Sequence, residues 1–132
     1  MALNKYNAKK VHAPDGKVYA SEKEYRRYCE LRLLERAGKI SDLKYQVTFE
    51  LIPSQREESK AVYKAGPQKG LPKPGAVIEK PCKYVADFVY TDSTGNEIVE
   101  DCKGYKKKAA YDLFVIKRKL MLLVHGIRVK ET

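Results

Sequence analysis

The sequence predicts an α/β fold: one domain over residues 1–132, built on a mixed central sheet flanked by helices. Three observations predict it. A capped helical segment precedes a long alternating segment, two further alternating segments are joined by a glycine turn, and a second helical segment is followed by the short run IRVKE. The resulting order is helix, three strands, helix, strand. A chain of 132 residues, 43% of them hydrophobic, can bury one real core and not two.

Residues 1–20 read as a basic arm or small hairpin, because Pro14-Asp15-Gly16 is a strong turn signal between the short apolar pieces Val11 and Val18-Tyr19. Ser21, with Glu24 three residues later, is a capping-box signature, and Gly38 stops the helix it opens, over 21–37. The run LKYQVTFELI at 43–52 alternates as a strand does and ends at Pro53. From 53 to 81 come five of the six prolines, three glycines and many lysines, a composition that predicts a mobile basic excursion with a short strand at Val77-Ile78. Residues 83–91 (KYVADFVYT) and 97–103 (EIVEDCK) form a β-hairpin around Ser93-Thr94-Gly95. After a lysine-rich turn at 104–108, residues 109–125 are helical in period, Gly126 stops them, and IRVKE is the final strand.

With 27 Lys and Arg against 17 Asp and Glu, the formal charge is +10, so the surface attracts polyanions and nucleic acid is the leading partner. The alternative is a merely soluble basic protein. Cys29, Cys82 and Cys102 are odd in number and form no C-x-x-C pair, which points away from a disulfide framework and a zinc site. No apolar run approaches the ~18 residues of a membrane span, and the start MALNKYNAKK lacks the apolar stretch of a signal peptide. A cytoplasmic location and no membrane partner are the expectations.

The hairpin register decides where the carboxylates point. If Asp92 and Asn96 close a three-residue loop with Gly95 in the left-handed region, Asp87 stands opposite Asp101 and Val85 opposite Lys103. Opposed residues have Cβ atoms about 4.5–5.5 Å apart, and like charges so placed repel. Asp87 and Asp101 share their face with Val85, Val89, Val99 and Lys103, while Tyr84, Ala86, Phe88, Tyr90 and Glu100 face the other way. Two carboxylates among valines need a cation or a shared proton between them, and hard oxygen donors suit Mg²⁺ or Mn²⁺. Lys103 can hold a water or a phosphate beside that ion. The alternative is an exposed hairpin with solvated carboxylates, and a one-residue slip would separate Asp87 from Asp101 altogether.

Two helical residues have the same double character. Glu24 lines up with Tyr28 and Leu31 on an inward stripe, so it either only closes the capping box or supplies a third carboxylate to the metal. Lys117 falls among Leu113, Ile116, Leu120 and Val124 on the inward stripe of the second helix, where a lysine either snorkels to solvent or reaches a polar site. His12 and His125 are isolated and receive no role.

An S-x-x-E helix opening, an isolated Asp in a hydrophobic strand and Asp-x-Lys in the next strand together resemble the PD-(D/E)XK nuclease superfamily. Its restriction-endonuclease-like core has the order αβββαβ. The chain also resembles a family of small phage and prophage proteins of formerly unassigned function, through KYNAKKV, SEKEYRRY, AGKISDLKYQVTFELIP, YVADFVY, VEDCKGY and KRKLM with HGI, phrases that cover nearly all 132 residues. The resemblance implies that Asp87, Asp101 and Glu24 bind one or two divalent metals, Mg²⁺ or Mn²⁺, and that Lys103 positions or activates the attacking water. Gln46, Lys117 and Glu100 are secondary candidates. Two departures from the superfamily pattern are Ala86 where a proline commonly precedes the aspartate, and Asp101 in place of the commoner Glu.

The expected function is a metal-dependent endonuclease that hydrolyses DNA phosphodiesters during phage recombination, replication or processing, with a branched or Holliday-junction substrate implied by the resemblance alone. Lys106, Lys107 and Lys108 would grip phosphates, and Tyr105 and Tyr111 could stack on bases. A homodimer would favour two-fold branched substrates. The rival is a nucleic-acid-binding accessory protein that keeps the fold without catalysis; an RNA-binding protein ranks below both, since no recognition motif for unpaired bases is present.

Overall fold

The computed structural model describes residues 10–14, 16–19, 21–103 and 108–132, with nothing of the Lys108 side chain. Its elements are β1 (Val11–His12), β2 (Val18–Tyr19), α1 (Glu22–Arg36), β3 (Ser41–Ile52), β4 (Gln55–Arg56), β5 (Val77–Glu79), β6 (Cys82–Thr91), β7 (Glu97–Asp101), α2 (Lys108–His125) and β8 (Lys130–Glu131). Four strands form a mixed sheet in the order β3-β6-β7-β8, antiparallel between β6 and β7 and parallel between β7 and β8. By compactness the chain divides into two units, residues 50–84 and the remainder.

In the larger unit, the expected N-terminal hairpin is the pair β1-β2, which delivers the fully buried Tyr19 ring to the rings of Tyr25, Tyr28 and Tyr45. Helix α1 starts where the capping signature places it: the Ser21 hydroxyl accepts the Glu24 backbone N–H at 3.2 Å. At its other end the N–H of Gly38 bonds the Glu35 carbonyl and that of Lys39 the Leu34 carbonyl, which satisfies the last turn and turns the chain into β3. The face of α1 that carries Leu31 packs with Ile40, Phe88 and Tyr90, and Tyr28, Leu43, Tyr45 and Ile98 close around them. Phe88 is fully buried there, and truncating a ring of this kind costs about 3–5 kcal/mol.

The hairpin has the expected register. Phe88 faces Glu100, Val89 faces Val99, Tyr90 faces Ile98 and Thr91 faces Glu97. Asp92 and Asn96 close the loop through a 2.9 Å backbone bond, and the Asp92 carboxylate accepts the N–H groups of Thr94 and Asn96 as well. Gly95 sits at φ 89°, a conformation that a side chain at that position would strain.

Helix α2 departs from expectation in its inward face. Leu113, Ile116 and Val124 are about half exposed, whereas Phe114 and Met121 are buried. The helix is apolar on nearly every side, so periodicity alone does not select its buried stripe; the ring of Phe114 and the flexible Met121 fill the space instead. Lys117 is half-buried beside that stripe. Gly126, whose N–H bonds the Leu122 carbonyl, ends the helix as expected.

Within residues 53–81, where the composition predicts an irregular excursion, the chain carries paired strands. Strands β4 and β5 pair antiparallel through a register shift at Gln55 and Arg56, and inside them Tyr63 and Leu71, and Lys73 and Ala61, are joined by backbone bonds around a Val62-Pro72 bridge. A Cβ on Gly75 would collide with the Glu57 carbonyl, so the close approach of the two outer segments requires glycine there. The expected strand at Val77-Ile78 is the core of β5.

Candidate active site

The strands bring the central pair together. Asp87 leaves β6 and Asp101 ends β7, on the face opposite Phe88 and Glu100, and their side chains hydrogen-bond to each other. Asp101 is almost fully buried and forms a 3.1 Å ion pair with the Lys103 ammonium. Asp87 also accepts the backbone N–H of Cys102 at 2.8 Å. Glu24, buried on the first turn of α1, adds its charge to the field on Asp87. The Asp87 carboxyl is pushed up to about 9, first by burial, then by its hydrogen bond to Asp101 and the charges of Asp101 and Glu24; the Cys102 N–H pulls the other way. Lys103 is steered by a ring as well as by Asp101, its ammonium lying 4.5 Å from the centre of Phe114 in α2.

Whether this set suits a divalent ion can be judged from its chemistry. Two carboxyls in hydrogen-bond contact, in a site that keeps one of them protonated well above the usual carboxylate range, are hard oxygen donors short of a positive charge. Asp87, Asp101 and Glu24 therefore fit Mg²⁺ or Mn²⁺ in kind. Among the described residues, however, no group of three or more His, Cys, Asp or Glu side chains stands close enough to hold an ion as placed; Asp101 pairs with Lys103 and Asp87 with the Cys102 amide.

Glu100 is engaged away from the Asp87-Asp101 pair. Its side chain is fully buried, and Arg27 of α1 grips both carboxylate oxygens with 2.8 Å bonds while the Tyr90 hydroxyl donates to one of them. Burial alone would raise the Glu100 carboxyl; the bonds from Arg27 and Tyr90 outweigh it and hold the group below its ordinary value. Tyr90 in turn is pushed up by burial and by the adjacent Glu100. Arg27 is the residue missed by reading the sequence. The signal was present: Glu100 alternates onto the core face with Phe88 and Tyr90, a carboxylate there needs a partner, and Arg27 lies one turn from Glu24 on the same side of α1.

The secondary candidates are not gathered at the carboxylates. Gln46 is exposed on β3, at φ 53°, and Lys117 is half-buried; among the described residues neither bonds to Asp87, Asp101 or Glu24. Tyr105, Lys106 and Lys107, and the side chain of Lys108, lie outside the described residues. The Tyr111 hydroxyl donates to Glu131 at 2.9 Å, which ties α2 to β8. Cys29, Cys82 and Cys102 are free thiols, and burial pushes the Cys102 thiol up to about 11. Among the described residues no helix is long and apolar enough to cross a membrane.

A family model described as "Protein of unknown function (DUF1064)" matches residues 3–125. No curated protein and no solved structure matches the chain.

Proposed function

The chain belongs to the DUF1064 family, and we propose that it is a divalent-metal-dependent endonuclease acting on DNA. The observation that carries this reading is the head-on meeting of Asp87 and Asp101 beside Lys103. Asp87, Asp101 and Glu24 would hold Mg²⁺ or Mn²⁺, and the ion, when bound, offsets the negative charge that builds on the phosphate oxygens. With Asp101 holding the ion, the Lys103 ammonium would be free to orient the attacking water and to stabilise the charge gathering on the phosphate. The water would form a new P–O bond in line with the P–O bond that breaks, its proton passing to a carboxylate of the pair, while the leaving oxygen departs as the free hydroxyl after taking a proton from solvent water. Burial of the pair keeps bulk water from screening these charges. Phage or prophage origin, action in the bacterial cytoplasm and a branched DNA substrate belong to the same proposal. A two-fold dimer would suit such a substrate, and light scattering checks it.

One observation favours a second reading. Among the described residues no three-donor group stands ready for an ion, which suits a DNA-binding accessory protein that does no chemistry. Cleavage assays separate the two. Wild type and Asp101→Asn are compared on single-stranded, duplex and four-way DNA with Mg²⁺ or Mn²⁺; the nuclease reading expects product from wild type only. Equal cleavage by both would point to a contaminant, and salt-sensitive binding without product would leave the accessory role.

A further inference from the structure

A second concavity adjoins the candidate active site across the segment that follows Asp101. On the flank of α1 that faces β8, Lys23, Arg26, Arg27 and Glu30 join Cys102 and Lys130 to line a cleft of about 350 Å³. The charges in it do not cancel. Glu30 is taken by Arg27 at 2.9 Å, and Arg27 is otherwise spent on Glu100. Arg26 reaches Glu22 only at 3.6 Å with both side chains mostly exposed, an arrangement that yields at once to a stronger anion. The Lys23 ammonium bonds the Lys103 carbonyl at 3.4 Å, which leaves its charge uncompensated, and Lys130, whose charge bears on the buried Glu100 beside it, makes no direct ion pair among the described residues. Three cations therefore converge on one cleft in which the Glu30 side chain is already engaged, and a carbonyl oxygen of Thr132, also in its wall, accepts the Lys103 N–H.

The position of the cleft matters as much as its charge. Cys102, in its wall, gives its N–H to Asp87, and Lys103, whose carbonyl holds Lys23, gives its ammonium to Asp101. The segment Asp101-Cys102-Lys103 is thus shared: one side carries the carboxylate pair and the other backs the cleft. A strand with one phosphate at Lys103 would run on toward Lys23, whose ammonium meets the Lys103 carbonyl, and toward Lys130, which stands beside Glu100 in the parallel β7-β8 register.

We propose that this cleft binds the backbone phosphates of DNA adjacent to the bond that is cut, with Lys23, Arg26 and Lys130 as the residues that hold them. The choice of DNA rests on the nuclease reading, whereas the binding itself needs no cleavage. The test uses the full chain in EDTA and a fluorescent duplex or four-way DNA, with anisotropy read over a salt series. Lys23→Gln with Lys130→Gln is compared with Lys39→Gln and Lys119→Gln, two exposed lysines that impose the same change in net charge. Melting temperatures of both pairs establish that each is folded. The cleft pair is expected to weaken binding at least about fivefold and to lower the salt slope by about one per lysine, while the control pair changes little. Equal effects of the two pairs, or no DNA binding by wild type, would overturn the proposal. Tighter binding of RNA than of DNA would overturn DNA as the ligand. A wild type that fails to cut, but whose hold on DNA depends on Lys23 and Lys130, would remove the nuclease reading and support the cleft. A wild type that cuts, with a cleft pair that binds and cuts equally well, would do the reverse.

Discussion

The Asp87 carboxylate accepts the backbone N–H of Cys102 at 2.8 Å, so a side chain of one strand caps the end of its neighbour just past Asp101. The same carboxylate faces Asp101, and two carboxyls so close cannot both ionise without cost.

The first prediction follows from the sign of that cost. Asp87 is raised from 3.8 to about 9, chiefly by burial, so the folded state holds a proton that the unfolded chain has already released. Metal-free protein should therefore lose stability progressively as pH rises from about 4 to about 9. Asp87→Asn keeps an oxygen for the Cys102 amide and adds a donor toward Asp101, so its melting temperature at pH 8 in EDTA should exceed wild type by roughly 5 °C, the effect of about 1 kcal/mol in a domain near this size. Mn²⁺ should raise the melting temperature of wild type and not of the variant. A variant no more stable than wild type at pH 8 would refute the buried pair.

Lys103 and Asp101 should matter to rate far more than to folding. Lys103→Met and Asp101→Asn are each expected to slow cleavage about 10²-fold or more, with circular dichroism unchanged. Single-turnover assays with Mg²⁺ read this, and a Lys103→Met protein with wild-type rates would exclude the lysine from the chemistry.

Glu100 should behave in the opposite way. Glu100→Gln takes from Arg27 its buried carboxylate and leaves it only the exposed Glu30, and a loss of about 3 kcal/mol in urea unfolding is expected. Because Glu100 is held below its ordinary value, the stability it contributes is present above about pH 4.3 and is lost as pH falls through its folded value. The variant should lack that acid limb. Normal stability with lost cleavage would instead make Glu100 catalytic.

The thiols offer a check on burial. Cys29 is exposed, while Cys102 is partly buried and raised to about 11. Brief labelling with a maleimide at pH 7.5, read by mass spectrometry of peptides, should modify Cys29 well before Cys102, since the thiolate is the reacting form. Faster labelling of Cys102 would mean that the segment after Asp101 is open.

The hairpin was legible because two local rules agreed: Gly95 and Asp92 specify the loop, and the loop specifies every partner from Phe88-Glu100 to Thr91-Glu97. The α1 cap at Ser21 was legible for the same reason, since a cap is a contact between residues three apart. Periodicity failed on α2, where Leu113, Ile116 and Val124 are as apolar as the buried Phe114 and Met121, and only packing distinguishes them. Within 53–81 it found only the strand at Val77-Ile78, because the bonds there, such as Glu57 to Ala76, join positions far apart along a chain rich in proline. Arg27 escaped notice because an arginine on a helix looks like solvent until the strand residue it meets is known.

The clasp between Arg27 and Glu100 acts as a dowel between helix and sheet. Glu24 lies just ahead of it in α1, and Asp101 just after it in β7. Sliding the helix by even one turn, about 5.4 Å, would pull the peg out of a dry socket. Lineages of this gene should therefore exchange both partners together or neither, and drift at this joint should travel as a matched pair.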